Sequence, residues 1–434
     1  MSLLPETTRR LDVLAAEAQA TGRAPSVVLG VVRDGALAYA TGAGDHPVPD
    51  PGTQYRIGSI SKTMTATLVM RLRDEGRLAL DDLLYRHLPG TPVGSVTLRQ
   101  LLGHASGLQR EPDSAGWWER SEGSDVETLL AGLTPDKLAH PPHRTYHYSN
   151  LAYGLLGAVV ERITGKPWIE VLTERVLAPL SMLRTTYHPH EPFAPGYVVH
   201  PLYGTLNEEP RTDTGAMAPA GQLWSTLDDL ARWAAFLAEP VPDVLAPDTL
   251  AEMCVPVAIS DPDTWSGGHG LGLEFYRRGE RVLVGHGGSM PGYVSLIAVH
   301  RPSRTGIVGY ANAYGFPIGQ LGFSALVEVL DREPAPPAPW RPAAAPPPPE
   351  AAELCGRWWW MGLAHDATWE KGELVITRAG REPWRFAAEG ADRWRCHSGV
   401  NDGETLAVRR DGAGGVAALD IATFVFTRDP GQLG

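Results

Sequence analysis

Gly58-Ser59-Ile60-Ser61-Lys62 opens the apolar run Thr63 to Leu72, and the reading of this stretch decides the rest. Its spacing predicts a helix that begins at Ser59, buries Met64, Leu68, Val69 and Leu72, and ends near Gly76. Three residues apart at a helix start, Ser59 and Lys62 lie one turn apart on the same face. The helix N-terminus adds unpaired backbone N–H groups and a partial positive charge beside the serine oxygen. That is a way to build a nucleophile without a Ser-His-Asp triad. Ser61, the other hydroxyl of the stretch, lacks the three-residue spacing to Lys62. S-x-x-K also arises by chance, as a helix cap and a surface lysine, so its standing depends on what the remaining sequence supplies.

Outward from this helix, Thr8 to Ala20 carries apolar residues at helical spacing and stops at Gly22. Val27 to Arg33 and Ala36 to Ala40 flank Asp34-Gly35, a strong hairpin signal. Downstream, Thr97-x-x-Gln100 and Ser124-x-x-Glu127 read as capping boxes. Between them Gly116 to Arg120 forms a loop whose Trp117 and Trp118 are placed to pack or to roof a pocket. Leu151 to Thr164 is a helix, Pro167 opens another, and Ser225-x-x-Asp228 caps a third through Leu237. Strand signals return at Gly270 to Tyr276, Arg281 to Val284, Tyr293 to Val299 and Ile307 to Ala311. Arg278-Gly279 and Ser289-Met290-Pro291-Gly292 link the first three, and a closing helix spans Gly319 to Leu330. Strands early and late around a helical middle predict an α+β domain with one sheet assembled from both ends.

The proline-rich stretch 333–349 (EPAPPAPWRPAAAPPPP) reads as a fairly stiff linker. It divides a domain at 1–332 from a segment at 350–434. That segment lacks helical periodicity and alternates short apolar runs with Lys371-Gly372, Asp411-Gly412 and Gly414-Gly415 turns. About eight short strands predict a small antiparallel β-barrel. In 434 residues of net charge −12, no basic run favours nucleic acid. No apolar stretch is long enough to span a membrane. The start Met1-Ser2-Leu3-Leu4-Pro5-Glu6 lacks a signal-peptide pattern, so a cytoplasmic protein is expected. Cys254, Cys355 and Cys396 read as reduced thiols, with a Cys355–Cys396 bridge the alternative. No spaced His/Cys/Asp cluster argues for zinc, and no cofactor is expected.

Two further segments complete the opening motif. Tyr148-Ser149-Asn150 precedes the Leu151 helix, and His286-Gly287-Gly288 ends the strand Val282 to Gly285. The ordered set S-x-x-K, Y-x-N and H-x-G resembles the serine β-lactamase and penicillin-binding-protein superfamily. Leu101 to Leu108 matches a further family segment, LLTHTSGL, with Gly103 and Ala105 substituted. The resemblance covers roughly residues 8–330 and implies an antiparallel sheet flanked by helices plus an all-helical region. No G-x-S-x-G occurs, which excludes the rival α/β-hydrolase elbow.

The resemblance gives each residue a role. Ser59 attacks a carbonyl, and Lys62 accepts its proton as a neutral amine, which requires a depressed pKa. Tyr148 works with Lys62 as general base, nearby cations favouring its phenolate, and passes a proton to the leaving group. Asn150 orients Lys62 and holds a substrate amide, or caps the following helix. His286 replaces the lysine of K-T-G, exchanging a fixed cation for a pH-sensitive group. Gly288 lets backbone approach the substrate, and the oxyanion hole is the backbone N–H of Ser59 plus that of Ser289. His104 is assigned to packing; His147 and His269 are read as neither ligands nor bases.

The second domain is similar to the lipocalin-like appendage of D-residue-specific peptidases and penicillin-binding-protein-type thioesterases. The latter release nonribosomal peptides from a carrier protein by head-to-tail cyclisation. On this resemblance Ser59 takes a peptidyl chain from a thioester, and the peptide's own amine attacks. Met217 to Trp224 becomes a pocket wall, with Gly221 leaving room for a side chain and Trp224 beside it. Arg428 holds a carboxylate, or is a solvated terminal arginine. A hydrolase acting on D-amino-acid peptides or esters is the alternative, followed by a penicillin-recognising sensor.

Overall fold

The computed structural model describes residues 2–114, 116–333, 340–343 and 345–431. The chain divides into two compact units, Met1–Ala335 and Pro336–Gly434. The division falls within the proline-rich stretch, of which 334–339 and 344 lie outside the described residues.

The first unit is built on an eight-stranded antiparallel sheet. Its spatial order is Ala36–Gly44, Ser26–Arg33, Thr305–Ala311, Tyr293–His300, Arg281–Met290, Glu274–Arg278, Gly267–His269 and Ala258–Ile259. The sheet is therefore drawn from both ends of the unit, joined where Val31 pairs with Ile307. Ser26–Arg33 is buried along its whole length because helices cover both faces. Val27, Leu29 and Val31 pack in one apolar layer with the helices Pro5–Gly22 and Ile318–Arg332. Val28 and Val32 face the other way, into the large core with Leu227–Ala238 and Ile60–Asp74. The period-two alternation of a strand thus sorts a nearly continuous apolar run into two cores.

Several local expectations shift by a residue or two. The Thr97 capping box is present, with Gln100 reciprocating. Asp125 rather than Ser124 caps the next helix, accepting from the Thr128 N–H, and Thr226 rather than Ser225 caps Leu227–Ala238. In each pair the two adjacent residues are both competent caps by side-chain type. Ser149, not Asn150, caps Asn150–Thr164, and Pro167 sits just before its helix. Gly270–Leu273 is not strand. Arg281–Met290 runs through Ser289 and Met290, so only Pro291-Gly292 makes the turn. Gly292, at φ +79°, supplies its left-handed corner.

The second unit is a closed barrel of eight sequential antiparallel strands, from Gly356–Trp360 to Phe424–Thr427. Trp358, Leu374, Phe386, Trp394, Leu406 and Phe426 fill its interior. The three cysteines are unpaired, which removes the Cys355–Cys396 alternative. Among the described residues no helix is long and apolar enough to cross a membrane.

Candidate functional site

Ser59 precedes the first turn of Ile60–Asp74 in helical conformation (φ −64°, ψ −8°), and its hydroxyl makes no cap bond, so the oxygen is free for other partners. One turn on, Lys62 is fully buried. Its Nζ lies 2.8 Å from Ser59 Oγ and 2.6 Å from the Ala220 carbonyl oxygen. Burial lowers the Lys62 pKa from 10.5 to about 7, against the opposing pull of Glu119, Glu111 and Glu274. Near neutrality a large fraction of Lys62 is therefore free amine with a lone pair for the serine proton. Ser61 points away: its hydroxyl accepts the Leu223 N–H at 3.3 Å.

Tyr148 lies between Lys62, whose Nζ is 5.0 Å from its ring centre, and the His104 imidazole, stacked at 4.2 Å. The Leu101–Leu108 segment anchors this loop. His104 Nδ1 accepts the Ser149 N–H at 3.0 Å, and its carbonyl accepts the His147 N–H at 2.9 Å. His104 is thus packing, but packing that sets the tyrosine. The space at Gly103 is taken by Val257, whose Cγ1 lies 2.4 Å from where a Cβ would be. Burial and the Glu274 charge raise the Tyr148 pKa well above 10, though a Ser59 hydrogen bond works against them. At neutral pH Tyr148 is therefore a phenol, the form its ordinary pKa already implies, and burial outweighs the cations that would favour a phenolate. Asn150 departs from expectation too. Its Nδ2 donates to both carboxylate oxygens of Glu111, at 3.0 and 2.8 Å, while Lys62 is held by the Ala220 carbonyl instead.

His286, on Arg281–Met290, is buried and its pKa lies below 6.5 because burial disfavours the cation. Its Nδ1 lies 2.5 Å from the Gly287 carbonyl oxygen and 3.8 Å from Glu274 Oε2. Nδ1–H is therefore the donor, and Nε2 is the lone-pair nitrogen of a neutral ring. Glu274 Oε2 accepts the Gly287 N–H at 2.9 Å and the Tyr276 hydroxyl. His269, Glu274 and His286 place ligand-type atoms within 4.8 Å of one another and could hold a metal ion. The hydrogen bonds of Glu274 account for the grouping without one.

The strand end bearing Gly288 and Ser289 closes against the Ser59 turn. Gly58 has φ +52°, and a Cβ there would lie 2.5 Å from the Ser289 carbonyl oxygen and 2.6 Å from its nitrogen. A Cβ on Gly288 would meet the Ile57 carbonyl oxygen at 2.1 Å. Two glycines thus bring the Ser59 and Ser289 backbones together at one point.

Ser59, Tyr148, Asn150, His286, Gly288 and Ser289 all line one cleft of about 620 Å³. Trp117, 42% exposed, stands at its rim beside Tyr314; Trp118 is buried, with Nε1 donating to Glu111 at 2.6 Å. Three expected substrate contacts are corrected. Trp224, 1% exposed, packs between Phe193 and Tyr293 in the core. Gly221 lies beneath the Ser59 turn, where a Cβ would meet Met290 Sδ at 3.2 Å. Arg428 is exposed, just past the last strand of the barrel: it donates to the Arg357, Glu353 and Cys355 carbonyls and covers the Trp358 ring at 3.7 Å. Its guanidinium is taken up by the barrel's own carbonyls rather than left free for a carboxylate, and it is the exposed terminal arginine of the alternative reading.

The sequence reading missed the cleft's acids: Glu111, Glu119 and Glu274. Glu274 carried a usable signal, since Glu274 and Tyr276 share one face of a strand with a period of two. The other two sit on irregular loops that offer no period. Burial raises the Glu119 pKa to about 7, opposed chiefly by Lys62.

Comparison with known proteins agrees with this geometry. Residues 11–329 match the family model "Beta-lactamase", and residues 347–428 match a "Domain of unknown function (DUF7586)". "Beta-lactamase-like protein 2" of Dictyostelium discoideum is 29% identical over 294 residues, 63% of this chain and 52% of that protein. The chain thus spans about half the length of that curated relative. Among solved structures, a D-stereospecific amidohydrolase from Streptomyces sp. is 28% identical with TM-score 0.65, covering 75% of this chain and 98% of that one. SurE is 26% identical with TM-score 0.60, covering 98% and 99%.

Proposed function

The chain belongs to the Beta-lactamase family, and from that premise we propose a serine hydrolase or acyltransferase that works through an acyl-enzyme on Ser59. The observation that carries this reading is Lys62, fully buried, 2.8 Å from the serine oxygen and with a pKa near 7. Lys62 takes the Ser59 proton as Oγ bonds to the carbonyl carbon. The backbone N–H groups of Ser59 and Ser289 hold the oxyanion. Tyr148 donates its hydroxyl proton to the leaving group and is reprotonated from the Lys62 ammonium. The acceptor then enters by the same relay run backwards. Intact-mass analysis after treatment with a fluorophosphonate tests the site. One adduct, mapped to Ser59 and absent from Ser59→Ala, is expected; an adduct that persists in Ser59→Ala refutes the assignment.

For the substrate, the reading is a peptidyl thioester borne by a cytoplasmic carrier protein, with a D-residue at the reacting carbonyl and the peptide's own amine as acceptor. Support comes from SurE, matched over both units of this chain and also solved with D-Leu. A peptidyl-pantetheine thioester ending in a D-residue should give a product lighter than the linear acid by one water. Linear acid alone sinks the cyclase reading. In that case the second reading applies, a D-residue amidase or peptidase, which the Streptomyces amidohydrolase favours. A penicillin-recognising sensor fits less well, because a neutral His286 and three cleft glutamates offer little to a substrate carboxylate.

A further inference from the structure

Glu119 has no task in the acyl-transfer steps above. It sits in the short turn Trp118–Arg120, 9% exposed, and borders the cleft with Ser59, Glu111 and Asn150. The Thr212 hydroxyl donates to its backbone carbonyl at 2.8 Å and fixes the turn. Among the described residues its carboxylate has neither a hydrogen-bond nor an ion-pair partner. Lys62 is engaged with Ser59 and Ala220 and Arg110 with Glu111. Arg56 bonds Thr212 and Gln222 through Nη2 alone, its Nε and Nη1 without partners among the described residues, and it forms no ion pair with Glu119.

Carboxylates this buried are normally paired. An unpaired one opening into a reaction cleft is a docking point for a cation that arrives with the substrate. Its neighbours fit that use. Glu111 adds a second negative charge. Because the Asn150 amide nitrogen is turned to Glu111, the Asn150 oxygen remains as an acceptor. An ammonium group has three N–H donors and no acceptor, matching the acceptors that Glu119, Glu111 and the Asn150 oxygen present on this side of the cleft.

We infer that Glu119, with Glu111 and the Asn150 oxygen, forms a subsite for a primary ammonium group of the substrate beside Ser59. The inference rests on the Ser59 acyl-transfer reading and names the substrate chemistry of that site. Two sources carry such a group: the free α-amine of an aminoacyl donor, and the amine that attacks the acyl-enzyme.

The test compares wild type, Glu119→Gln and Glu119→Asp on the p-nitrophenyl ester of D-alanine and on its N-acetyl counterpart. It then measures the partition of the N-acetyl donor between water and added D-alanine amide. If the donor's amine is bound, Glu119→Gln lowers the free-amine to N-acetyl ratio of kcat/KM about tenfold or more, a charge-assisted hydrogen bond being lost. If the acceptor's amine is bound, the same variant lowers the aminolysis fraction instead. Glu119→Asp should restore part of either effect. Where ester turnover is too slow, protection of Ser59 from a fluorophosphonate by D-alanine amide, and not by its N-acetyl form, reads the same subsite. Ser59-dependent chemistry with ratios and protection within twofold of wild type overturns the ammonium subsite alone. Equal turnover by wild type and Ser59→Ala overturns the premise and the inference together.

Discussion

Replacing Lys62 by methionine should make the protein inactive and, at neutral pH, more stable. A buried amine whose pKa falls from 10.5 to about 7 carries a folding penalty, at ~1.4 kcal/mol per tenfold in proton affinity, of about 5 kcal/mol. Methionine removes that penalty and fills a similar volume. It also leaves the Ala220 carbonyl without its donor, at a cost of ~1–3 kcal/mol, and takes from Glu119 its main favourable charge. The net gain is roughly 2 kcal/mol. The pH dependence has a definite sign. Below about 7 both folded and unfolded lysine are charged and the penalty is complete. Above 7 the folded amine is neutral while the unfolded one is still charged, so the penalty shrinks until it vanishes near 10.5. The advantage of Lys62→Met in urea unfolding should therefore be still near its full size at pH 7 and close to nothing by pH 9. A variant destabilised at pH 7, or a gap identical at pH 7 and pH 9, would refute a lysine strained by burial.

Three further outcomes are expected. For an N-acetylated ester, kcat/KM should rise with pH and level off above about 7, because only neutral Lys62 takes the serine proton; a rise continuing to pH 9 would mean an ordinary lysine. Gly58→Ala places a Cβ 2.5 Å from the Ser289 carbonyl oxygen at φ +52°, so kcat should fall roughly 100-fold with the circular dichroism unchanged. A loss under threefold would show that this close approach is not needed. Arg428→Ala should destabilise the barrel by about 1 kcal/mol, seen in tryptophan fluorescence, since Trp358 loses its cover while the three carbonyls at this exposed position turn to water. A raised KM without loss of stability would restore it to the substrate.

Elements with a strong local code were legible in the sequence. Asp34-Gly35 marked its hairpin, Thr97 and Gln100 their capping box, and the spaced motifs brought Ser59, Tyr148 and His286 to one cleft with Lys62 buried behind Ser59. What failed depended on contacts between distant segments. Asn150 was assigned to Lys62, but Glu111, on a loop without periodicity, holds its amide. Trp224 and Gly221 belong to a pocket wall on the family resemblance alone, yet Phe193, Tyr293 and Met290 enclose them. For Tyr148, nearby cations favour the phenolate, but burial and Glu274, both set by tertiary packing, push its pKa the other way. Arg428 falls one residue past the last strand, Phe424–Thr427, and its partners Glu353 and Cys355 are at the far end of the barrel sequence.

The pairing of Val31 with Ile307 has a consequence during synthesis. The first hairpin leaves the ribosome without the strand that completes it, and roughly 270 residues must follow before that strand appears. At about 5–20 residues per second, the wait lasts on the order of 15–50 s. Throughout it the apolar edge of Ser26–Arg33 is exposed to other nascent chains. Chaperone demand should therefore fall sharply if the gene were circularly permuted so that Thr305–Ala311 is translated just before Ser26–Arg33.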